Sequence, residues 1–116
     1  NRKPLIELSQ EIKELAIKAQ QDLLTPAEMA HGTFTITSMG AYEVDAFTPI
    51  INPPQVAILG TGRLVEKPVV YESEITKRLM VTLSLTFDHK AVDGAPAGAF
   101  LEAIKQNIED PSSLAD

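Results

Sequence analysis

Two histidines, and no cysteine, stand where proton chemistry must be sought in this 116-residue sequence. Imidazole is the one side chain whose ordinary pKa lies near neutrality, so it can take a proton and return it at working pH. His31 sits in the polar turn Ala30-His31-Gly32 and reads as a solvated loop residue. His89 follows an alternating apolar segment and precedes a glycine-bounded loop, with Asp88 beside it and Asp93 four residues on. A carboxylate at that spacing can hold the loop or orient the ring. Spacing alone leaves two readings of His89 open, a general base and a surface histidine. The lack of Cys removes any thiol nucleophile, disulfide or Cys-based metal site from the chain, and no metal is expected. Gly60-Thr61-Gly62-Arg63 permits close backbone approach of a ligand. A lone Gly-x-Gly is weak support for that, and no Walker-type phosphate loop is present.

The elements that must carry these residues follow from periodicity. Leu5, Leu8, Ile12, Leu15, Ala19 and Leu23 recur at steps of three and four, which predicts an amphipathic helix over 5–23. Thr25-Pro26-Ala27-Glu28 is a capping signature, so a short helix follows and stops at Gly32. Residues 33–38 are alternating and rich in β-branched side chains, hence a strand. Met39-Gly40 breaks it, and Pro49, Pro53 and Pro54 keep 41–54 irregular. Residues 56–59 form a short buried strand ended by Gly60 and Gly62. Another strand is predicted over 63–71, with Pro68 marking an edge or bulge and 72–74 a hairpin turn. Residues 79–87 give the clearest strand. Val81, Leu83, Leu85 and Phe87 point one way, and Met80, Thr82, Ser84 and Thr86 the other. A last helix begins near Ala95, buries Phe100, Leu101, Ile104 and Ile108, and ends at Pro111. The fold class is therefore α+β, an α/β sandwich with a mixed, mostly antiparallel sheet packed with helices.

The net charge of −6, with Lys and Arg scattered, disfavours a nucleic-acid backbone and an anionic membrane surface. No apolar run reaches the roughly 20 residues of a membrane span. The start Asn1-Arg2-Lys3-Pro4 has no signal-peptide hydrophobic region behind it and no initiator Met. A cytoplasmic location, or the mitochondrial matrix in a eukaryote, is expected, as is excision from a longer chain.

The string Leu83-Ser84-Leu85-Thr86-Phe87-Asp88-His89-Lys90-Ala91-Val92-Asp93-Gly94-Ala95-Pro96-Ala97 resembles the active-site signature of the dihydrolipoamide acyltransferases. These are components of 2-oxo acid dehydrogenase complexes, with a fold similar to that of chloramphenicol acetyltransferase. Three more segments agree in the family's order: Gly32-Thr33-Phe34-Thr35-Ile36-Thr37-Ser38-Met39-Gly40, then Phe47-Thr48-Pro49-Ile50-Ile51-Asn52-Pro53-Pro54-Gln55-Val56-Ala57-Ile58-Leu59-Gly60, then Lys67-Pro68-Val69-Val70. The resemblance covers essentially the whole chain.

The resemblance implies acyl transfer between the thiol of a lipoyl arm and that of coenzyme A. His89 would be the base that generates the thiolate nucleophile. Thr37 matches the hydroxyl that stabilises the tetrahedral oxyanion, at a position more often Ser. Thr keeps the hydroxyl but stiffens χ1, and an ordinary strand residue stays open as its reading. Asp93 matches the family's acid and is expected to hold the loop and support the base, or to cap the helix that follows. Thr37, Ser38, Gly62 and Leu64 match positions lining the coenzyme A channel. Lys90 replaces the usual Arg, which differs in fork geometry, and His31 a common Gly.

The resemblance places residues 1–116 as the C-terminal portion of the catalytic domain, incomplete, with the lipoyl and subunit-binding domains absent. The lipoyl cofactor would ride on an absent upstream domain. The expected partners are two further copies in a homotrimer that builds a larger core. The decarboxylase and dihydrolipoamide dehydrogenase components would be reached through absent domains. The family's active site lies between subunits, so Thr37 of one chain would face His89 of its neighbour. The isolated chain is expected to be a weak or inactive catalyst, with exposed sheet edges prone to self-association. Two alternatives remain: a non-catalytic structural component of the same assembly, and a chloramphenicol-type O-acetyltransferase. The acyl group and the core symmetry are not legible.

Overall fold

The protein is described by a computed structural model over residues 3–114. Asn1 and Arg2, part of the N-terminal segment discussed above, lie outside the described residues, as do Ala115 and Asp116 of the expected 1–116 domain. Two compact units are present. One holds residues 3–32 with 98–114, the other Thr33–Ala97.

In the first unit the predicted apolar stripe forms α1 (Leu5–Gln20), three residues shorter than the periodicity suggests. Asp22 takes a left-handed φ of 57°. The Leu23 N–H donates to the Lys18 carbonyl at 2.8 Å and the Asp22 N–H to Ala19 at 3.3 Å. These nested bonds close the helix as a Schellman motif, with Asp where Gly is usual. Thr25 then starts α2 (Pro26–Met29) through a complete capping box. The Lys18 ammonium and the Thr25 donors hold the Glu28 carboxyl down at about 2. The second long helix, α3 (Gly94–Glu109), begins one residue before the expected start; its first four residues belong to the second unit and the rest to the first. Its Phe100 and Ile108 are exposed, and Ala97 is its only buried residue, so the stripe expected to be buried is only partly covered.

In the second unit a three-stranded sheet has the order β1 (Thr35–Ser38), β2 (Ala57–Thr61), β5 (Leu83–Phe87). β1 runs parallel to β2, and β5 antiparallel to it. The central strand carries the core, with Ile58 and Leu59 each only 5% exposed. Gly60 does not end β2; it pairs with both Thr37 and Ser84. A Cβ there would lie 3.0 Å from the Phe47 ring and 3.2 Å from Pro49, so the missing side chain lets the β1–β2 loop cover the strand.

A separate hairpin pairs β3 (Val65–Tyr71) with β4 (Glu74–Met80). Glu72 and Ser73 both have positive φ, the type I′ geometry that suits a two-residue hairpin. Pro68 lies opposite Lys77 within the ladder. The expected strand over 79–87 is two strands. Leu79 and Met80 belong to the hairpin, Val81 and Thr82 fall outside both, and β5 starts at Leu83. The apolar alternation continues across the junction, so periodicity could not show that the partner changes from β3 to β2. The hairpin leaves the cross-strand pair Val70 and Ile75 75% and 82% exposed.

Candidate functional site

His89 stands just beyond the free end of β5, in a tight turn that leads into α3. Asp88 builds that turn. Its N–H donates to the Val56 carbonyl at 2.8 Å, extending the β2–β5 ladder by one bond. Its carbonyl accepts from the Ala91 and Val92 N–H groups, each at 3.0 Å. Its carboxylate accepts from the Lys90 N–H at 2.9 Å. His89 is exposed, and its ring packs at 5.6 Å from that of Phe87, tilted by 39°. No hydrogen bond or ion pair engages the imidazole among the described residues, so both ring nitrogens are open to a ligand.

Asp93 makes no hydrogen bond to His89. Its carbonyl accepts from the Ala97 N–H at 3.2 Å, which starts α3. The chain thus places Asp93 at the loop-to-helix joint rather than behind the base.

The other predicted residues gather at the opposite end of the sheet. Thr37 is half-buried on β1, and its side chain has no partner among the described residues. Ser38 is turned back on the backbone. Its Oγ donates to the Thr61 carbonyl at 3.4 Å and accepts from the Gly40 N–H at 3.3 Å. Gly62 follows β2, is buried, and donates its N–H to the Thr82 carbonyl at 3.0 Å. Leu64 is 65% exposed beside it. Thr37, Ser38, Gly62 and Leu64 therefore share one end of the sheet. Only Thr37 and Leu64 still have side chains free for a ligand.

His89 and Thr37 do not meet within one chain. Thr37 pairs with Gly60, which pairs with Ser84, three residues before Phe87. Two strand spacings and three strand rises put roughly 14 Å between the Thr37 and Phe87 Cα atoms, and His89 lies further on. Side chains alternate faces along β5, so Thr37 shares its face with Ser84 and Phe87 lies on the other.

Gly62, expected at a ligand channel, also has a packing role. A Cβ there would sit 1.9 Å from the Asp45 carbonyl oxygen and 2.7 Å from its carbon. The Arg63 N–H donates to the Val44 carbonyl at 2.9 Å. The Arg63 guanidinium grips Asp45 and holds that carboxyl below the ordinary range. The loop before Phe47 is thereby clasped to the end of β2. Gly62→Ala must push backbone against backbone, so we expect a destabilisation of about 1–3 kcal/mol. Denaturant unfolding of the full-length protein checks this; an unchanged midpoint would show that the clasp yields freely.

Sequence reasoning missed Asp88 as more than a neighbour. The available signal was its place immediately before a histidine at a strand end, where Asp commonly bonds the backbone two residues on.

The profile of the family described as 2-oxoacid dehydrogenases acyltransferase (catalytic domain) matches residues 1–115. The acetyltransferase component of the acetoin cleaving system of Bacillus subtilis (strain 168) is 49% identical over 110 residues. That match covers 95% of this chain and 28% of the relative. The crystal structure of the Azotobacter vinelandii dihydrolipoamide acetyltransferase superposes with a TM-score of 0.90 at 38% identity, covering 97% of this chain and 46% of that one. The cubic core of a pyruvate dehydrogenase multienzyme complex gives the same TM-score, identity and coverage. This chain thus spans under a third of that curated relative and under half of those solved chains. The likeness confirms the expected mixed helix-and-sheet fold, with open, partial sheets.

Proposed function

The chain belongs to the 2-oxo acid dehydrogenase acyltransferase family through its catalytic domain, and on that footing we propose that it carries half of an acyl-transfer site between dihydrolipoamide and coenzyme A. One observation carries the reading. The Azotobacter vinelandii enzyme was studied for the catalytic roles of a serine, a histidine 52 positions later and an asparagine four further on. Thr37, His89 and Asp93 repeat both spacings in this chain.

The mechanism follows from the side chains. A free thiol is mostly protonated at neutral pH, and its thiolate is the nucleophile. His89 takes the thiol proton through an open ring nitrogen. The sulfur attacks the thioester carbonyl, a new C–S bond forms, and the carbonyl oxygen becomes an oxyanion. The Thr37 hydroxyl donates a hydrogen bond to that oxyanion. Collapse breaks the old C–S bond, and the leaving thiolate takes the proton back from His89. Since Thr37 and His89 lie apart in one chain, each site draws Thr37 from one copy and His89 from another. This arrangement suits a homotrimer within a larger core, of which the cubic core is an example.

Coenzyme A lies along the end of the sheet holding Thr37, Ser38, Gly62 and Leu64. Ser38 and Gly62 shape that surface through the backbone, while Thr37 and Leu64 face it. The remainder of the channel comes from residues outside this chain, which acts as the C-terminal portion of the domain. The lipoyl arm and the docking of decarboxylase and dihydrolipoamide dehydrogenase components belong to other domains of the whole protein. No helix among the described residues is long and apolar enough to cross a membrane; since the relatives reported above are bacterial proteins, we place the complex in the cytoplasm.

The test is an initial-rate assay of the full-length protein with dihydrolipoamide and acetyl-, succinyl- or isobutyryl-coenzyme A, with chloramphenicol as rival acceptor. Transfer to dihydrolipoamide is expected. A preference for chloramphenicol, or no transfer from any donor, overturns the reading.

A further inference from the structure

We propose that Asp88 is a positioning residue for His89, and that its carboxylate acts by holding the turn that aims the imidazole rather than by its charge. The inference rests on the reading of His89 as the base. Its observations are four hydrogen bonds made by three groups of Asp88 on either side of one residue. The N–H bond to Val56 reaches outside the turn and ties it to the entrance of β2. The residue before Val56, Gln55, accepts a 2.6 Å hydrogen bond from the Thr35 hydroxyl of β1. The anchor is therefore fastened from the sheet's other edge strand as well. The carbonyl bonds from Ala91 and Val92 and the carboxylate bond from Lys90 then wrap the chain around His89.

His89 contributes nothing comparable itself. Its ring has one aromatic neighbour, Phe87, and no polar partner among the described residues. Asp93 does not reach it. The direction of the imidazole is thus set by the backbone on which it sits, and Asp88 sets that backbone. Asp88 Oδ1 accepts from the Lys90 N–H, and no hydrogen bond joins the carboxylate to the imidazole among the described residues.

Geometry and charge separate cleanly by substitution. Asp88→Asn keeps an oxygen that accepts from Lys90 and removes the charge. Asp88→Ala removes both. In the full-length protein, Asp88→Ala should lower kcat for acyl transfer roughly 10- to 100-fold, the scale of an ångström's misplacement of a catalytic group. KM for dihydrolipoamide and for acetyl-coenzyme A should stay near wild type, because the Asp88 carboxylate is engaged by the Lys90 N–H within the turn. Asp88→Asn should keep kcat within about threefold, since the acceptor survives. In a His89→Ala background, Asp88→Ala should cost nothing further, because it acts only through the imidazole.

Wild-type kcat in Asp88→Ala overturns the inference. So does an Asn variant as slow as the Ala variant, which would make the charge the active property. An additive loss in the His89→Ala background overturns it too, as the mark of a general structural role. If Asp88→Ala does not fold, Asp88→Ser, whose hydroxyl can accept from Lys90 more weakly, should fall between Asn and His89→Ala in rate. A wild-type protein without any acyl transfer overturns the proposed function beneath this inference, and that result is read before any variant is made.

Discussion

His89→Ala in the full-length protein removes acyl transfer almost entirely, with kcat down roughly 10³- to 10⁴-fold, the upper range for loss of a general base. The effect is large because His89 supplies the one imidazole of the turn, while Asp88 already accepts from the Lys90 N–H. Stability should hardly move, since the imidazole is exposed and bonded to nothing among the described residues; such surface changes cost within about 0.5 kcal/mol. Initial rates and a thermal melt of the same preparation check both halves. A His89→Ala protein with near wild-type rate makes this chain a structural component of its assembly. A protein that loses rate and fold together makes His89 a packing residue. Added imidazole should restore part of the rate, because the ring's place opens to solvent and its backbone frame is independent of it.

The sequence showed the elements wherever local chemistry alone decides them. The 3.6-residue stripe of α1, the Thr25–Glu28 capping box and the Glu72–Ser73 turn depend on neighbours in the chain, and each is present. Long-range packing was not legible. Val81 keeps the alternation of Leu79 and Leu83, so nothing local reveals that the strand changes partner there. Gly60 looks like a breaker until Phe47 and Pro49 are seen lying on it. That Gly62 also has to leave room for the Asp45 carbonyl shows only once the fold brings the two together. The candidate site divides in the same way. The spacing from His89 to Asp93 left loop-holding, base support and a helix cap open, and the Ala97 N–H bond to the Asp93 carbonyl shows Asp93 at the helix start. Thr37 and His89 were each named from motifs, and the resemblance already placed them on different copies; the sheet register adds the physical reason, which only the fold supplies.

That separation leads to the sharpest prediction. Thr37→Ala should lower the rate roughly 10²- to 10³-fold by removing an oxyanion donor, while Thr37→Ser should stay within a few-fold of wild type because the hydroxyl survives. Neither result says which copy of the chain supplies the group. A mixed assembly does. Subunits bearing Thr37→Ala and subunits bearing His89→Ala are each nearly inactive as pure assemblies. In a ring of head-to-tail contacts, every site takes Thr37 from one subunit and His89 from the next. Random mixing in equal amounts then leaves about one quarter of the sites with both groups intact. Co-expression with two affinity tags and sequential purification isolates mixed assemblies, and their rate should return to a fraction of this order. A mixed assembly no faster than its two parents would place both groups in one chain. That outcome requires Thr37 to reach a residue beyond Phe87, whose own Cα already lies roughly 14 Å away across the sheet. The ladder from Thr37 through Gly60 to Ser84 does not allow this without breaking β2 from a neighbour. Taken with the proposal that Thr37 and His89 serve one site, the sheet register makes recovery in the mixture the expected result.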